Sequence, residues 1–170
     1  PSPQTVKAET VKQFTKVTVA PADWSGTYLI VCENGTDSFA FNGALTKLDA
    51  TNNYVSVTIE GGVIAYNDDL NSRTFTIAKS GSNYTIKSAK GNYIGKTAAS
   101  NGLNAGTTVY TNNISLDTDG SAKIVGSSGY VLRFNAASDQ MRFRYYKSTT
   151  VTGSYAANYP KGYLYKLSLN

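Results

Sequence analysis

The chain has 170 residues, of which 41% are hydrophobic and only 16% are charged, and its formal net charge is +5. It contains no histidine and a single cysteine, which excludes Ser-His-Asp and Cys-His catalysis as well as an internal disulfide bond. No run of about five basic residues indicates a nucleic-acid-binding tail, and no apolar run approaches the ~18 residues that span a bilayer.

The predicted elements are short strands joined by polar turns. Residues 1–16 are polar and are predicted to be a linker or loosely attached lead-in. The first residue is proline rather than methionine, which is expected of a processed chain. An edge strand at residues 11–14 is the one regular element expected there, and residues 17–170 are predicted to form a single domain. In that domain, alternating apolar residues predict strands at 17–19, 27–31, 39–42, 55–59, 63–66, 75–77, 84–88, 93–95, 107–110, 114–116, 122–125, 131–135, 141–146 and 163–167. No segment of ten residues combines helical apolar spacing with capping residues.

A strand-turn-strand phrase occurs three times, beginning at Tyr28, Tyr84 and Ala122. Each copy alternates apolar and polar residues, reaches a polar turn with a glycine and continues into a second apolar pair. A short strand is expected to close each repeat, at residues 75–77, 114–116 and 163–167. The repetition predicts an all-β fold of the β-trefoil type or a related closed β-barrel with a threefold hairpin pseudo-repeat, and a β-sandwich is the alternative.

Cys32 lies in the first copy of this phrase, where the other two copies have Ser88 and Gly126. Small residues at one repeated position indicate a tightly packed site. We therefore expect Cys32 to be a buried small residue.

Metal, phosphate and catalytic sites are not indicated. The stretch from Asp117 to Gly120 offers oxygen ligands, but it lacks the third Asp or Asn and the distal Glu of a calcium-binding EF-hand loop. A type I′ hairpin turn at Asp119-Gly120 is predicted instead. Residues 67–69 have similar oxygen-ligand character, and no phosphate-binding glycine pattern opens a helix. We expect no cofactor and no bound metal. We also expect no catalytic activity, because a glycosidase would need two carboxylates that converge in a cleft, and no spacing of the acidic residues singles out such a pair.

One predicted strand near the C-terminus shows the clearest alternation in the chain. It places apolar side chains on one face and Arg142, Arg144 and Tyr146 on the other. Arg133 would join this second face across a predicted hairpin. A row of arginines with a tyrosine can stack on sugars or bases and can donate hydrogen bonds to hydroxyl or acidic groups. The alternative is an ordinary solvated strand face, in which arginine limits edge pairing.

Two further positions are candidate ligand contacts. Trp24 is the only tryptophan and lies beside Asp23 in a predicted turn, and sugar sites often combine an aromatic plane with a carboxylate. The alternative for Trp24 is that its ring plugs one end of the barrel. Asn135 follows Phe134 as Asn42 follows a phenylalanine in the first repeat, so both asparagines are either repeated turn residues or repeated ligand-facing amides.

Four stretches of the chain resemble a known kind of module: Asp23-Trp-Ser-Gly-Thr-Tyr-Leu-Ile-Val31, Tyr84-Thr-Ile-Lys-Ser-Ala-Lys-Gly-Asn-Tyr-Ile-Gly95, Leu132-Arg-Phe-Asn-Ala-Ala-Ser-Asp-Gln-Met-Arg-Phe-Arg-Tyr-Tyr146 and Leu164-Tyr-Lys-Leu167. The module is an accessory β domain of secreted multidomain proteins of gut anaerobes, chiefly Bacteroidetes, and it stands beside Ig-like, adhesive or hydrolytic domains, sometimes nucleases. The resemblance covers about residues 17–167. It implies an extracellular or cell-surface setting and no activity of the module's own, and it carries no assigned functional residues.

These features predict a non-catalytic carbohydrate-binding or adhesive module, with a glycan or surface polysaccharide as partner and other domains of the same chain as further contacts. The residues expected to bind are Asp23, Trp24, Arg133, Asn135, Arg142, Arg144 and Tyr146. One alternative is a structural or protein-interaction domain, which a wide apolar patch would favour. The other is an accessory binder of polyanions such as extracellular nucleic acid, which would use the arginines with Lys147 and lose affinity steeply as salt rises.

Overall fold

The computed structural model describes residues 2–5 and 10–169 of the chain. Within these ranges the chain forms fourteen short strands, and the prediction of an all-β fold is confirmed. The strands are β1 (Lys12–Lys16), β2 (Gly26–Asn34), β3 (Asp37–Phe41), β4 (Tyr54–Ser56), β5 (Val63–Ala65), β6 (Phe75–Ser80), β7 (Asn83–Ser88), β8 (Tyr93–Gly95), β9 (Asn104–Gly106), β10 (Asn112–Leu116), β11 (Ala122–Gly126), β12 (Val131–Asn135), β13 (Arg142–Tyr146) and β14 (Gly162–Leu169).

Two short helices, α1 (Asp68–Asn71) and α2 (Ser148–Thr152), and one 3-10 turn at Ala156–Asn158 interrupt the strands. Helix α1 begins where the Asn67 side-chain oxygen accepts a hydrogen bond from the backbone N–H of Leu70 at 2.7 Å. The sequence predicts a loop there, because a four-residue helix is too short to show a helical period. In the part of the chain that the structure describes, no helix is long and apolar enough to span a membrane.

The strands pair in one antiparallel sheet that is not closed. Its main path runs β13-β12-β11-β10-β7-β6-β2-β14-β1-β5, while β3 and β4 extend from β2, and β8 and β9 extend from β7. Between residues 10 and 169, no backbone ladder joins β11 to β14. These two strands nevertheless lie close together, because Ile124 of β11 and Leu164 of β14 line one small cavity of about 10 Å³.

Within the expected lead-in at residues 1–16, the strand expected at 11–14 is present as β1, but it extends to Lys16 and does not lie at an edge. Strand β1 pairs with β14 along its whole length and with β5 on its other side. Phe14 at its centre is completely buried, which explains why this segment is fixed in the sheet. The strand predicted at 17–19 is not present, because β1 ends at Lys16 and residues 17–19 form no strand. Residues 1 and 6–9 of the expected lead-in and residue 170 of the expected domain lie outside the described residues.

Strand β2 separates two hydrophobic clusters. Its residues Tyr28, Ile30 and Cys32 face one cluster, and the intervening Leu29 and Val31 face the other. The sequence of a strand that is buried on both faces is a continuous run of apolar residues, and residues 28–32 form such a run. The first cluster occupies the interior of the three repeats, and the second lies between β2, β14, β1 and β5.

Aromatic rings form the centre of the first cluster. The ring of Phe41 stacks on Phe143 with centroids 4.9 Å apart and contacts Phe75 at 4.8 Å. Phe134 meets Phe143 edge to face at 5.1 Å. Because Phe41 comes from the first repeat and Phe134 and Phe143 from the third, this packing ties distant segments of the chain together.

The buried amide of Asn53 connects two of the hairpins. Its nitrogen donates to the backbone carbonyls of Leu48 at 2.8 Å and Phe143 at 3.0 Å, and its oxygen accepts from the Phe143 N–H at 2.8 Å. The Asn53 side chain thus makes, with the Phe143 backbone of β13, the pair of hydrogen bonds that a neighbouring strand would make. The sequence did not single out Asn53, since an asparagine in an Asn-rich chain looks like a turn residue.

Replacement of Asn53 by alanine leaves the buried N–H and carbonyl of Phe143 without this partner, while the Leu48 carbonyl still accepts from the Ala50 N–H at 2.9 Å. We expect Asn53→Ala to lower the free energy of unfolding by about 2–3 kcal/mol, measured by urea denaturation. The exposed Asn113 of β10 gives the matched control, and Asn113→Ala should change stability by less than about 0.5 kcal/mol. Equal stability of the two variants would contradict the bridging role.

Cys32 is completely buried, as its place in the repeat predicts. Burial raises the pKa of its thiol to about 12, with a smaller contribution from the nearby Glu33 carboxylate. We expect no alkylation of Cys32 by iodoacetamide at pH 8 in the folded protein and complete alkylation in denaturant, as measured by mass spectrometry. Rapid labelling without denaturant would show that this part of β2 is open.

Candidate functional site

The pairing of β12 with β13 brings five of the predicted ligand residues together. Arg133 lies opposite Arg144, Asn135 opposite Arg142, and Tyr146 opposite Val131 in the antiparallel register. Opposite residues in such a pair point to the same side of the sheet. The intervening positions carry Phe134, Phe143 and Tyr145 into the first cluster, so the alternation predicted for this strand is confirmed. We call the side formed by Arg133, Asn135, Arg142, Arg144 and Tyr146 the arginine face.

A loop formed by residues 147–161 covers one end of the arginine face. The ring of Tyr159 lies 4.8 Å from the ring of Tyr146, and the Tyr159 carbonyl accepts a hydrogen bond from Arg133 Nη1 at 2.9 Å. Tyr146 and Arg133 are consequently buried, with 2% and 9% of their surface exposed. Arg142 and Arg144 are only half-buried, so they form the open end of the face.

Several hydrogen-bond donors on this face have no partner among residues 2–5 and 10–169. Within these ranges Arg142 Nε, Arg144 Nε and Tyr146 Oη form no hydrogen bond, although each atom is buried. Arg142 is held by one bond from Nη2 to Gln140 Oε1 at 2.6 Å. Burial also raises the pKa of Tyr146, which keeps its phenol neutral and able to donate.

Positive charge exceeds negative charge on the arginine face. In the described ranges, one carboxylate forms an ion pair with the arginine face: that of Asp49, which lies 3.6 Å from Arg144 Nε. The pKa of Arg133 is lowered, mainly by burial, although the more distant Asp117 and Asp119 favour its charge. The face therefore carries three guanidinium groups against one paired carboxylate.

Trp24 and Asp23 belong to a different part of the molecule. Trp24 is only 3% exposed, its ring lies 6.4 Å from that of Tyr28, and its backbone N–H donates to Tyr84 Oη at 3.2 Å. Its ring packs in the first cluster, so the stacking surface expected of it is not available. Asp23 is exposed, and it accepts a hydrogen bond from the Ser25 N–H at 2.8 Å, which lowers its pKa.

Asn135 is a turn residue rather than a free amide. Its side-chain oxygen accepts a hydrogen bond from the Ala137 N–H at 3.0 Å, and Asn42 accepts from the Ala44 N–H at the same distance. In the second repeat Asn104 accepts from the corresponding N–H of Thr97 at 2.9 Å. The expectation of a ligand-facing amide is thus replaced by a turn bond in the first and third repeats. In the second repeat Gly95 stands at this position, and the acceptor comes from seven residues after Thr97.

The side chains and backbone of the acidic turns make hydrogen bonds within the protein. The N–H of Gly120 donates to the Asp117 carbonyl at 2.9 Å, and Gly120 has φ of +85° while Asp119 does not have a positive φ. The predicted type I′ turn is therefore wrong, because that turn needs positive φ at both central residues. Asn67 is used as the cap of α1. For residues 2–5 and 10–169, no group of three or more Asp, Glu or Cys side chains could hold a metal ion.

Asp119 instead pairs with Lys161, where the turn before β11 meets the start of β14. This ion pair lies at the seam between β11 and β14, the two strands that no ladder joins. The hydrogen bond from Lys161 is the main cause that lowers the pKa of Asp119, and the same bond raises the pKa of Lys161. Both side chains are substantially exposed, so the pair contributes less than about 1 kcal/mol.

The Asp119 pair makes stability depend on pH. Because the folded pKa of Asp119 lies below its usual 3.8, its contribution is present above that value and is lost as the pH falls through the folded pKa. We expect Asp119→Asn to lower the melting temperature by at most about 3 °C near pH 7, and the difference should narrow below about pH 4. The control is Asp37→Asn, which removes an exposed carboxylate in another turn. A difference that stays constant down to pH 2 would contradict the pairing.

Comparison with known proteins adds no family to these observations. A scan against protein-family models found no model that matches the chain, and a search of curated proteins found no match. The chemistry of the arginine face is therefore argued from its own contacts.

Proposed function

We propose that the chain is a non-catalytic carbohydrate-binding module of a secreted or cell-surface protein and that the arginine face holds the glycan. The observation that carries this proposal is the pair of half-buried arginines, Arg142 and Arg144, on one side of β13. Among the described residues their guanidinium groups have one hydrogen bond, from Arg142 Nη2 to Gln140, and one ion pair, from Arg144 to Asp49. They are fixed on a paired hairpin whose other side is packed in the aromatic cluster. Donors held in this way lose little conformational freedom when a ligand binds.

Sugars match the chemistry of these donors. A guanidinium group presents several N–H donors in one plane, and neighbouring hydroxyl or acidic groups of a sugar ring can accept two of them at once. The loop that covers the face also carries Tyr155, which is 68% exposed and offers an aromatic ring for stacking. These features support a polar ligand rather than a protein partner that would need a wide apolar patch.

The grooves of the molecule support a binding role without catalysis. The groove beside β1 and β5 has a volume of about 400 Å³ and is lined by one carboxylate, Glu60. Two neighbouring grooves contain Asp69 and Glu33 respectively as their single acidic residues. Glycoside hydrolysis uses two carboxylates on either side of the bond, and none of these grooves provides such a pair.

We also propose that the three repeats form a β-trefoil-like barrel. The strands β11, β10, β7, β6, β2 and β14 follow one another along the sheet, and the two ends of this series lie side by side. In each repeat an asparagine side chain accepts a hydrogen bond from the equivalent backbone N–H, that of Ala44, Thr97 or Ala137. The secreted or surface setting and contacts with further domains belong to the same proposal and rest on the resemblance of residues 17–167.

The test is a screen of the purified chain against a broad array of neutral and acidic glycans at low and moderate salt. We expect binding to one glycan class, and we expect Arg142→Ala and Arg144→Ala each to weaken it about tenfold or more, as measured by calorimetry. Arg73→Ala is the matched control, since Arg73 is a half-buried arginine paired with Asp69 at α1. It should leave affinity unchanged.

Two results would overturn the proposal. Absence of binding to every glycan would favour a structural or protein-interaction domain. Binding to DNA and to all polyanions alike, with affinity that falls steeply between about 50 and 200 mM salt, would favour the polyanion binder, an alternative that the excess of arginine over carboxylate on this face also supports.

A further inference from the structure

We propose that Lys96 and Arg144 form an anion-binding site that selects glycans with a carboxylate or sulfate group. This inference rests on the proposed glycan-binding function and names the class of ligand. It starts from Lys96, which directly follows β8 and was not among the residues predicted to bind.

Lys96 is a buried cation with few partners. It is only 6% exposed, and its backbone packs so closely on Gly126 that a Cβ there would lie 3.0 Å from the Lys96 carbonyl oxygen. Its Nζ donates one hydrogen bond, to Ser100 Oγ at 3.3 Å. An ammonium group carries three donors, and a buried lysine is normally paired with a carboxylate. In the part of the chain that the structure describes, Lys96 forms no such ion pair.

Lys96 and Arg144 converge over Gly102. A Cβ at Gly102 would lie 3.9 Å from Lys96 Nζ and 3.6 Å from Arg144 Nη2, so both cationic groups lie within 4 Å of one point. Gly102 is fixed there by two backbone hydrogen bonds with Tyr145, at 3.1 and 2.7 Å. Its φ of +154° suits glycine, and a side chain at this position would crowd the space between the two cations. We call Lys96, Ser100, Gly102 and Arg144 the anion cradle.

The charge of the cradle is not balanced. Asp49 pairs with Arg144 at 3.6 Å, and among the described residues neither Arg144 Nε nor Asp49 Oδ1 makes a hydrogen bond. The cradle therefore has two cations and one loosely held carboxylate, which pairs with Arg144. Like charges that are partly removed from water repel one another more strongly than in solution, and an added anion lowers that energy. The Arg144 side chain is 22% exposed and Ser100 is exposed, so two of the four cradle residues reach solvent.

The position of Arg144 connects the cradle with the proposed glycan site. Its guanidinium belongs both to the arginine face and to the cradle, so one ligand can place an acidic group at Lys96 and hydroxyl groups at Arg142. A nucleic acid is less well matched, because binding of a single strand uses several rings that stack on successive bases. Tyr146 is buried under Tyr159, which leaves Tyr155 as the exposed ring of the covering loop. The inferred ligand is a sugar that carries a carboxylate or sulfate.

The experiment compares acidic oligosaccharides with their neutral counterparts. The probes are a uronic-acid oligosaccharide and its carboxyl-reduced form, a sulfated oligosaccharide and its desulfated form, inorganic sulfate, and single-stranded DNA. We expect Lys96→Met, which keeps the apolar stem, to reduce affinity for an acidic form about tenfold or more and to leave affinity for the neutral form unchanged. Lys123→Met removes an exposed lysine of β11 and is the matched control.

A second variant tests whether affinity for the acidic form increases when a negative charge is removed from beside the cradle. Asp49→Asn removes the competing carboxylate, so we expect it to increase affinity for the acidic form severalfold. Amide chemical shifts of Ser100 and Gly102 give a direct measure, because inorganic sulfate should move them in the native chain and not in Lys96→Met.

The outcomes separate the two proposals. Equal binding of acidic and neutral forms, unaffected by Lys96→Met, would overturn the anion cradle and leave glycan binding intact. Sulfate shifts that depend on Lys96, without binding of any glycan, would support the cradle and overturn the glycan function. Tighter binding of DNA than of any acidic sugar would overturn the inferred class of ligand.

Discussion

The burial of strand β2 on both faces is the constraint on which the rest of the structure depends. Five consecutive residues, Tyr28 to Cys32, contribute alternately to the two hydrophobic clusters. The same strand pairs with β3, β6 and β14, so it joins the first repeat to the second and to the C-terminal strand. Strand β14 also pairs with β1, which places Phe14 in the second cluster.

The arginine face is the counterpart of this packed interior. Hydrophobic burial on the opposite side of β12 and β13 holds the hairpin in place, so its polar side does not have to satisfy all of its own hydrogen bonds. Unpartnered buried donors and like charges lower the stability of a fold unless something else compensates. Here Phe143 and Tyr145 supply that compensation beside Arg142 and Arg144, which is the arrangement typical of a preorganised binding surface.

The sequence predicted some of these features and missed others for identifiable reasons. The sequence predicted one strand face shared by Arg142, Arg144 and Tyr146, because side chains alternate between the two faces of a strand with a period of two residues. The side chain of Trp24 could not be placed in this way, because the direction of a ring after a turn depends on what packs around it. Lys96 was missed because its neighbours Gly102, Gly126 and Arg144 come from other segments. One signal was present, since Lys96 occupies the place of Gly43 and Ala136 in the repeated turn.

The sequence by itself determined the all-β class, the threefold recurrence of the strand-turn-strand phrase, the buried place of Cys32 and the alternation that gives the arginine face its side chains. Each of these depends on backbone periodicity and residue type over a few neighbouring positions. Only the tertiary structure decided that β1 lies between β14 and β5 rather than at an edge, that Asn53 supports β13, and that Lys96 meets Arg144 over Gly102. Contacts between segments distant in the chain depend on how the strands pair and pack. The pattern of residue types over a few neighbouring positions does not specify that arrangement.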